Sequence, residues 1–248
     1  MKDCLRYAGI YLLLLAVGWS VRAEVVAGTN DFHRGNAAYE QKDFELAAQL
    51  FAVCVTNEIS AGVWQNLGNS QWQLGWTAEA LIAWERARAL NPFAPAPENN
   101  LKFVRETAQL EAPELTWCEI AAGWLPANWW AWGACGSFWF AVALLLLPGI
   151  LRWRRAAWHQ ALVALGLGVF LLTLPANYGV WTRAKLGLVL EAETPLRFTP
   201  TTDAEPVTRM AAGEPARVVR ERGKYLLIQT RRGEGWVERN RFGLIFQP

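Results

Sequence analysis

The sequence predicts a multidomain membrane protein: an α-helical repeat module, then a hairpin of two apolar helices, then a small all-β barrel. Three observations carry this prediction. Two similar blocks recur 33 residues apart, with Gly35 and Gly68 as equivalent positions. Two apolar stretches, about 129–151 and about 161–181, are each long enough to cross ~30 Å of hydrocarbon. From Leu188 onward, short β-type runs alternate with proline and glycine turns.

Composition agrees with a membrane protein carrying soluble parts. Of the 248 residues 53% are hydrophobic, and 15 are tryptophan. Lys+Arg number 24 against 22 Asp+Glu, a net charge of +2 with no basic stripe, which gives no reason to expect a nucleic-acid partner.

Residues 1–23 read as a signal peptide. Lys2 and Arg6 supply the positive start, Ile10 to Val17 the short apolar core, and Val21-Arg22-Ala23 the small residues of a cleavage site. An uncleaved anchor is the alternative, and either form exports the repeat module behind it. Cys54, Cys118 and Cys135 have no metal-ligand spacing, so no metal and no cofactor is expected. Cys54 and Cys135 fall at small-residue positions of predicted helices, where packing is the expected role.

Residues 24–110 form the repeat module. The second copy runs Trp64-Gln65-Asn66-Leu67-Gly68-Asn69, then Trp72, Gly75, Ala80, Trp84, Ala87 and Asn91-Pro92. It resembles the tetratricopeptide pattern position by position. Its large residues should fill the groove between paired helices, Gly68 and Ala80 should let them approach, Gly75 should turn the chain, and Pro92 should end the second helix. The first copy holds Gly35, Tyr39, Asp43-Phe44, Ala47, Phe51 and Cys54, lacks the closing proline, and places Arg34 where the second has Leu67. Trp64, Trp72 and Trp84 are expected in the core and Trp76 outside it. A further amphipathic helix, Glu98 to Leu110, caps the array. Two repeats and a cap are few, since about three are usually needed for stability. A partner, the membrane or a second copy are the candidates for the missing surface.

Residues 111–127 form an interfacial segment, with Trp117 and Trp124 on a short helix lying along the membrane surface. The hairpin occupies 128–182, and Trp129, Trp130 and Trp132 crowd its start, where indoles favour the headgroup level. Pro175 and Asn177, in the last third of the second span, mark a kink or a site within the membrane. Arg152, Arg154 and Arg155 between the spans place that loop in the cytoplasm. Together with the export signal, they put both soluble modules in the periplasm of a bacterial inner membrane.

Residues 187–248 form the β module. Runs at 188–190, 196–198, 216–219, 225–228 and 235–237 are separated by Pro195, Pro200, Gly213, Gly223 and Gly233, with 199–207 as the longest loop. Gly213-Glu214, the run Val218 to Ile228 and the motif Gly235-Trp236-Val237 resemble a bacterial SH3 domain.

The order of these parts, with Glu114-Leu115-Thr116-Trp117 leading into the hairpin, resembles the BatE-type proteins of the Bat aerotolerance group. That resemblance implies an inner-membrane scaffold acting with von Willebrand factor A-domain Bat proteins and a MoxR-type AAA+ ATPase. No catalytic constellation is visible. His33 and His159 should lie on opposite sides of the membrane, and Glu205, Glu214, Glu221 and Glu234 read as solvated charges. The expected function is therefore non-enzymatic protein–protein interaction. The alternative is an envelope tether whose SH3-like domain binds peptidoglycan. The first helices of the repeats should present Asn66, Asn69 and Gln73, and in copy one His33, Asn36 and Glu40, to a partner peptide. Simple solvation of all six is the alternative.

Overall fold

A computed structural model describes residues 30–57, 60–150, 157–201 and 204–246. The predicted signal peptide, residues 1–23, and the three arginines between the spans lie outside the described residues. The described chain has a helical N-terminal part, two long apolar helices and a C-terminal antiparallel sheet.

The helical part consists of α1 (30–40), α2 (Phe44–Asn57), α3 (Ala61–Gln73), α4 (Thr77–Leu90) and α5 (Pro95–Thr107). Ser60 caps α3 by accepting the Val63 N–H, and Pro95 occupies the first turn of α5, where its missing N–H costs nothing. Gly75 sits at φ +79° and turns α3 into α4. The two helical hairpins use one contact 33 residues apart. Gly35 lies under the Phe51 ring, where a Cβ would come within 2.8 Å, and Gly68 lies under the Trp84 indole, at 2.6 Å. Trp84 is fully buried and Trp76 exposed. Trp64 and Trp72 are half-buried.

The short helix α6 (Trp117–Ala122) opens on a capping box made by Thr116 and Glu119. It has only six residues. One side, Cys118, Glu119 and Ala122, is buried, while Trp117, Ile120 and Trp124 are exposed. The buried side presses on the second long helix so closely that a Cβ on Gly179 would overlap the Cys118 carbonyl.

The long helices are α7 (Ala127–Ile150) and α8 (Ala157–Arg183). They cross at small residues: Gly166 meets Ala141 and Ser137, and Gly133 faces Thr173. Pro175 does not end α8. Asn177 instead donates its amide to Thr173 O at 2.9 Å and to Trp130 O at 3.2 Å, which ties the two helices together and leaves that amide committed. Only 6% of the most apolar stretch of α7 and 17% of that of α8 is buried. The core helix of a soluble protein would be mostly buried. Cys135, expected to pack, is exposed on α7.

The sheet has seven strands in the order β3-β2-β6-β5-β4-β1-β7, all neighbours antiparallel. They are β1 (Leu186–Val189), β2 (Thr194–Arg197), β3 (Pro206–Met210), β4 (Pro215–Arg222), β5 (Tyr225–Thr230), β6 (Gly233–Glu238) and β7 (Phe242–Leu244). Every strand sends a side chain into one cluster that includes Val189, Leu196, Met210, Val218, Ile228, Val237 and Phe242, so the sheet curls around it. Two strands are absent from the sequence-based pattern. β3 overlaps the end of the expected loop, and polar, exposed residues hide its alternation. β7 is three residues long.

The modules are not independent. Leu186 and Leu188 of β1 and Ile245 pack with Leu81, Ile82, Trp84, Leu101 and Val104 of α4 and α5 in one core. β1 is thus buried on both faces, Val189 toward the barrel and its two leucines toward the helices. Gly213, at φ +83°, fits against Leu110 and Leu81. Arg86 closes the seam, donating to Ile245 O at 2.6 Å and Leu244 O at 2.9 Å while lying over the Trp64 ring. The surface that α4 and α5 would otherwise leave open is covered on this side by the chain's own C-terminal sheet.

Candidate functional site

Two regions have the chemistry to bind something: the open face of α1, α3 and α5, and a cavity where all parts of the chain meet.

The six residues expected to contact a partner lie on α1 and α3. His33, Glu40 and Gln73 are exposed. The other three are half-buried in a line of amides. Asn66 donates to Asn36 at 2.9 Å. The Asn69 carbonyl accepts from Gln65 at 3.3 Å, from the Trp84 indole at 3.1 Å and from Asn100 of α5 at 3.0 Å. Asn69 thus satisfies a buried N–H that would otherwise lack an acceptor. The arrangement links α1, α3 and α5, with exposed polar groups at its margins.

The second region is a cavity of about 870 Å³ bounded by the α4–α5 turn, the linker at 112–115, α6, the end of α8, β1 and the 245–246 segment. Its apolar wall includes Phe93, Ile120, Trp124, Leu125 and Trp181, and its polar wall holds Arg88, Arg105, Arg183, Glu85 and Glu98. Volume and lining fall in the range of small-molecule sites. Glu85 is 3% exposed. Arg105 reaches it at 2.6 Å and Arg88 at 2.7 Å, and Arg88 also holds Glu98 at 2.7 Å. Burial pushes the Glu85 carboxyl up, but the two guanidiniums outweigh it and hold the carboxyl below its ordinary range. Arg183 has no hydrogen bond or ion pair among the described residues, and its Nε is buried without an acceptor.

Beside the cavity, Arg217 of β4 makes a two-pronged bond to Glu119, at 2.7 and 3.0 Å. It also donates to Thr182 O at 3.1 Å. Glu119 is wholly buried. Burial raises its carboxyl pKa, but the Arg217 fork, the Thr116 N–H and the Thr182 hydroxyl pull it down to about 2. This pair fixes the barrel to α6 and to the end of α8.

The motif Gly235-Trp236-Val237 lies mid-sheet in β6. Val237 is core, and Gly235 lets β2 approach, since a Cβ there would come 2.6 Å from Leu196. Trp236 is half-buried between Arg197 and Leu227. Of the four acidic residues read as solvated, Glu221 pairs with Arg239 and Glu214 accepts the Ala211 N–H.

Sequence reasoning missed Glu85, Arg105, Arg183 and the Glu119–Arg217 pair. The partners of that pair are 98 residues apart, so no local spacing reveals them. One signal was present: Thr116-Trp117-Cys118-Glu119 has capping-box spacing, which flags Glu119 as structural.

Residues 192–242 match the family described as the bacterial SH3 domain. The match covers β2 to β6 and the first residue of β7, and omits β1, the strand that bridges to the helices. No curated protein matches the chain.

Proposed function

We propose that this chain is a membrane-anchored, non-enzymatic scaffold of the bacterial envelope, whose helical repeats and SH3-like barrel act as one head. The observation that carries this reading is the shared core of Leu81, Ile82, Leu101, Leu188 and Ile245. A head joined through such a core holds its recognition face in a fixed relation to the anchor, as assembly of a complex requires. The exposure of α7 and α8 along their apolar lengths supports a hairpin spanning a bilayer. The ends of the two helices adjoin α6, so the head lies on one side of that bilayer.

The repeated glycine–aromatic contact, Gly35 with Phe51 and Gly68 with Trp84, supports the tetratricopeptide reading of the helices. The Bat-type reading keeps its partners as proposals: von Willebrand factor A-domain proteins and a MoxR-type ATPase. Cross-linking in membranes, then purification of the full chain, tests it. Recovery of such membrane proteins is the expected result. A second reading is favoured by the bacterial SH3 match itself: the barrel binds peptidoglycan. Sedimentation with purified murein sacculi separates the two, since a scaffold stays in the supernatant and a wall tether pellets. The periplasmic placement of the head is tested by fusing alkaline phosphatase after Pro248. An active fusion is expected, and an expressed but inactive one rejects that orientation.

A further inference from the structure

We propose that the junction cavity holds the phosphate headgroup of an anionic phospholipid, with the Arg183 guanidinium as its cation. The proposal rests on the reading of α7 and α8 as a hairpin in a bilayer.

The polar wall carries three arginines and two carboxylates, one positive charge in excess. The excess is localised. Glu85 is taken by Arg88 and Arg105, and Glu98 by Arg88. The nearest other carboxylate, Glu119, is saturated by both nitrogens of Arg217. Glu85 and Glu119 lie within electrostatic range of Arg183, but among the described residues neither makes a hydrogen bond or ion pair with it, and its Nε is buried without an acceptor. A guanidinium so placed is costly unless an anion pairs with it. Its fork matches phosphate oxygens.

The remaining walls favour a lipid over a free anion. Trp124, Leu125, Ile120 and Trp181 line the cavity and continue onto the exposed apolar surface of the hairpin. Trp117, Trp124, Trp129 and Trp181 are all exposed around this end of the hairpin. Such a belt sits at the headgroup level, where indoles partition. Arg183 is the last residue of α8, so it meets the bilayer where phosphates lie. A basic pocket at this depth is the kind that takes phospholipid headgroups.

The test uses the full chain, delipidated in a neutral detergent. It is titrated with short-chain phosphatidylglycerol, with phosphatidylcholine of the same chain length, or with inorganic phosphate. Tryptophan emission and melting temperature report binding. Phosphatidylglycerol is expected to bind saturably and to stabilise, phosphatidylcholine to bind more weakly, and phosphate to do neither at matched concentration. Arg183→Gln should weaken phosphatidylglycerol by about tenfold or more, the loss of one charge-assisted hydrogen bond. Arg231→Gln removes the same charge outside the cavity lining and should leave binding unchanged. Equal affinity for both lipids, an equal effect of phosphate, or full affinity in Arg183→Gln overturns the proposal. If Arg183→Gln does not fold, the parent chain decides: phosphatidylglycerol should slow phenylglyoxal modification of Arg183 but not of Arg231, and an unchanged rate overturns the proposal. Alkaline carbonate extraction tests the underlying reading separately, because release from membranes would reject the spanning hairpin itself.

Discussion

The second helices of the two helical hairpins, α2 and α4, occupy equivalent places and have different surroundings. α4 is buried on nearly every side, from Ala80 to Glu85 without a break. α2 buries Ala47, Ala48, Phe51 and Cys54 and leaves Leu46 and Val53 exposed. Their sequences do not announce this. The difference comes from α5 and from the barrel, which pack on α4 and, among the described residues, contribute nothing to the core cluster of α2. Burial of a helix in such a stack is thus decided by what packs on it. Here the neighbour arrives from the far end of the chain, after the hairpin.

The largest effect should come from removing that neighbour. A chain ending at Ala184 would expose Leu81, Ile82 and Leu101 and leave Arg86 without its two acceptors. Its helical part should lose cooperative melting, as monitored by circular dichroism in detergent. If it melts at the temperature of the full chain, α4 does not depend on the barrel and the comparison fails.

A point change at the second tie should come next. Arg217→Ala leaves Glu119 buried and charged without its partner, which should cost about 3–5 kcal/mol. The same tie sets an acid limit. The folded Glu119 carboxyl titrates at about 2, below its ordinary 4.5. A carboxyl lowered by folding contributes fully above 4.5, and the contribution is lost as pH falls from there toward 2. Melting temperature should therefore drop over that window in the parent and drop less in Glu119→Gln, which starts lower at neutral pH. Parallel curves would show that Glu119 is not the titrating group. Glu85, also held down by arginines, contributes to the common part of both curves.

Two leucines report the difference between the helices directly. Leu81 on α4 is 1% exposed and Leu46 on α2 is 41% exposed. Leu81→Ala should cost about 2–5 kcal/mol by chemical denaturation. Leu46→Ala, on an open face, should cost within about 0.5 kcal/mol. Similar costs at both positions would mean that α2 is covered in solution by something else, a second copy being the first to test by sedimentation.

What the sequence disclosed tracks the range of the interactions. Gly35, Gly68, Trp84 and Gly75 were legible because their partners lie within one hairpin, where spacing encodes contact. The apolar helices were legible from length alone. β1 was visible as an apolar run, but Leu186 and Leu188 could not be assigned to a helical partner far earlier in the chain. β3 hid because its exposed residues carry no alternating pattern. The candidate site divided likewise. His33, Glu40 and Gln73 are open positions on α1 and α3, whereas Asn36, Asn66 and Asn69 have hydrogen bonds across helices that local spacing does not predict. The cavity was illegible because separate stretches of chain, distant in sequence, build it.

The smallest effect on stability should come from the exposed margin of the amide line, and it is the most informative about binding. Replacing His33, Glu40 and Gln73 together with Ala removes polar groups without touching the bonds among Asn36, Asn66, Asn69 and Asn100. Each surface change should stay within about 0.5 kcal/mol. Asn69→Ala is the contrasting variant. It strips the acceptor from the Trp84 indole, and leaving a buried donor unpaired should cost about 1–3 kcal/mol. Loss of a partner in Asn69→Ala would therefore be ambiguous between binding and folding, whereas loss in the triple variant would not. If α1 and α3 present the recognition face, the triple variant should recover less cross-linked membrane protein at limiting partner concentration while melting with the parent. Unchanged recovery, with the same melting temperature, would reject this face and leave the barrel surface around Trp236 as the place to look.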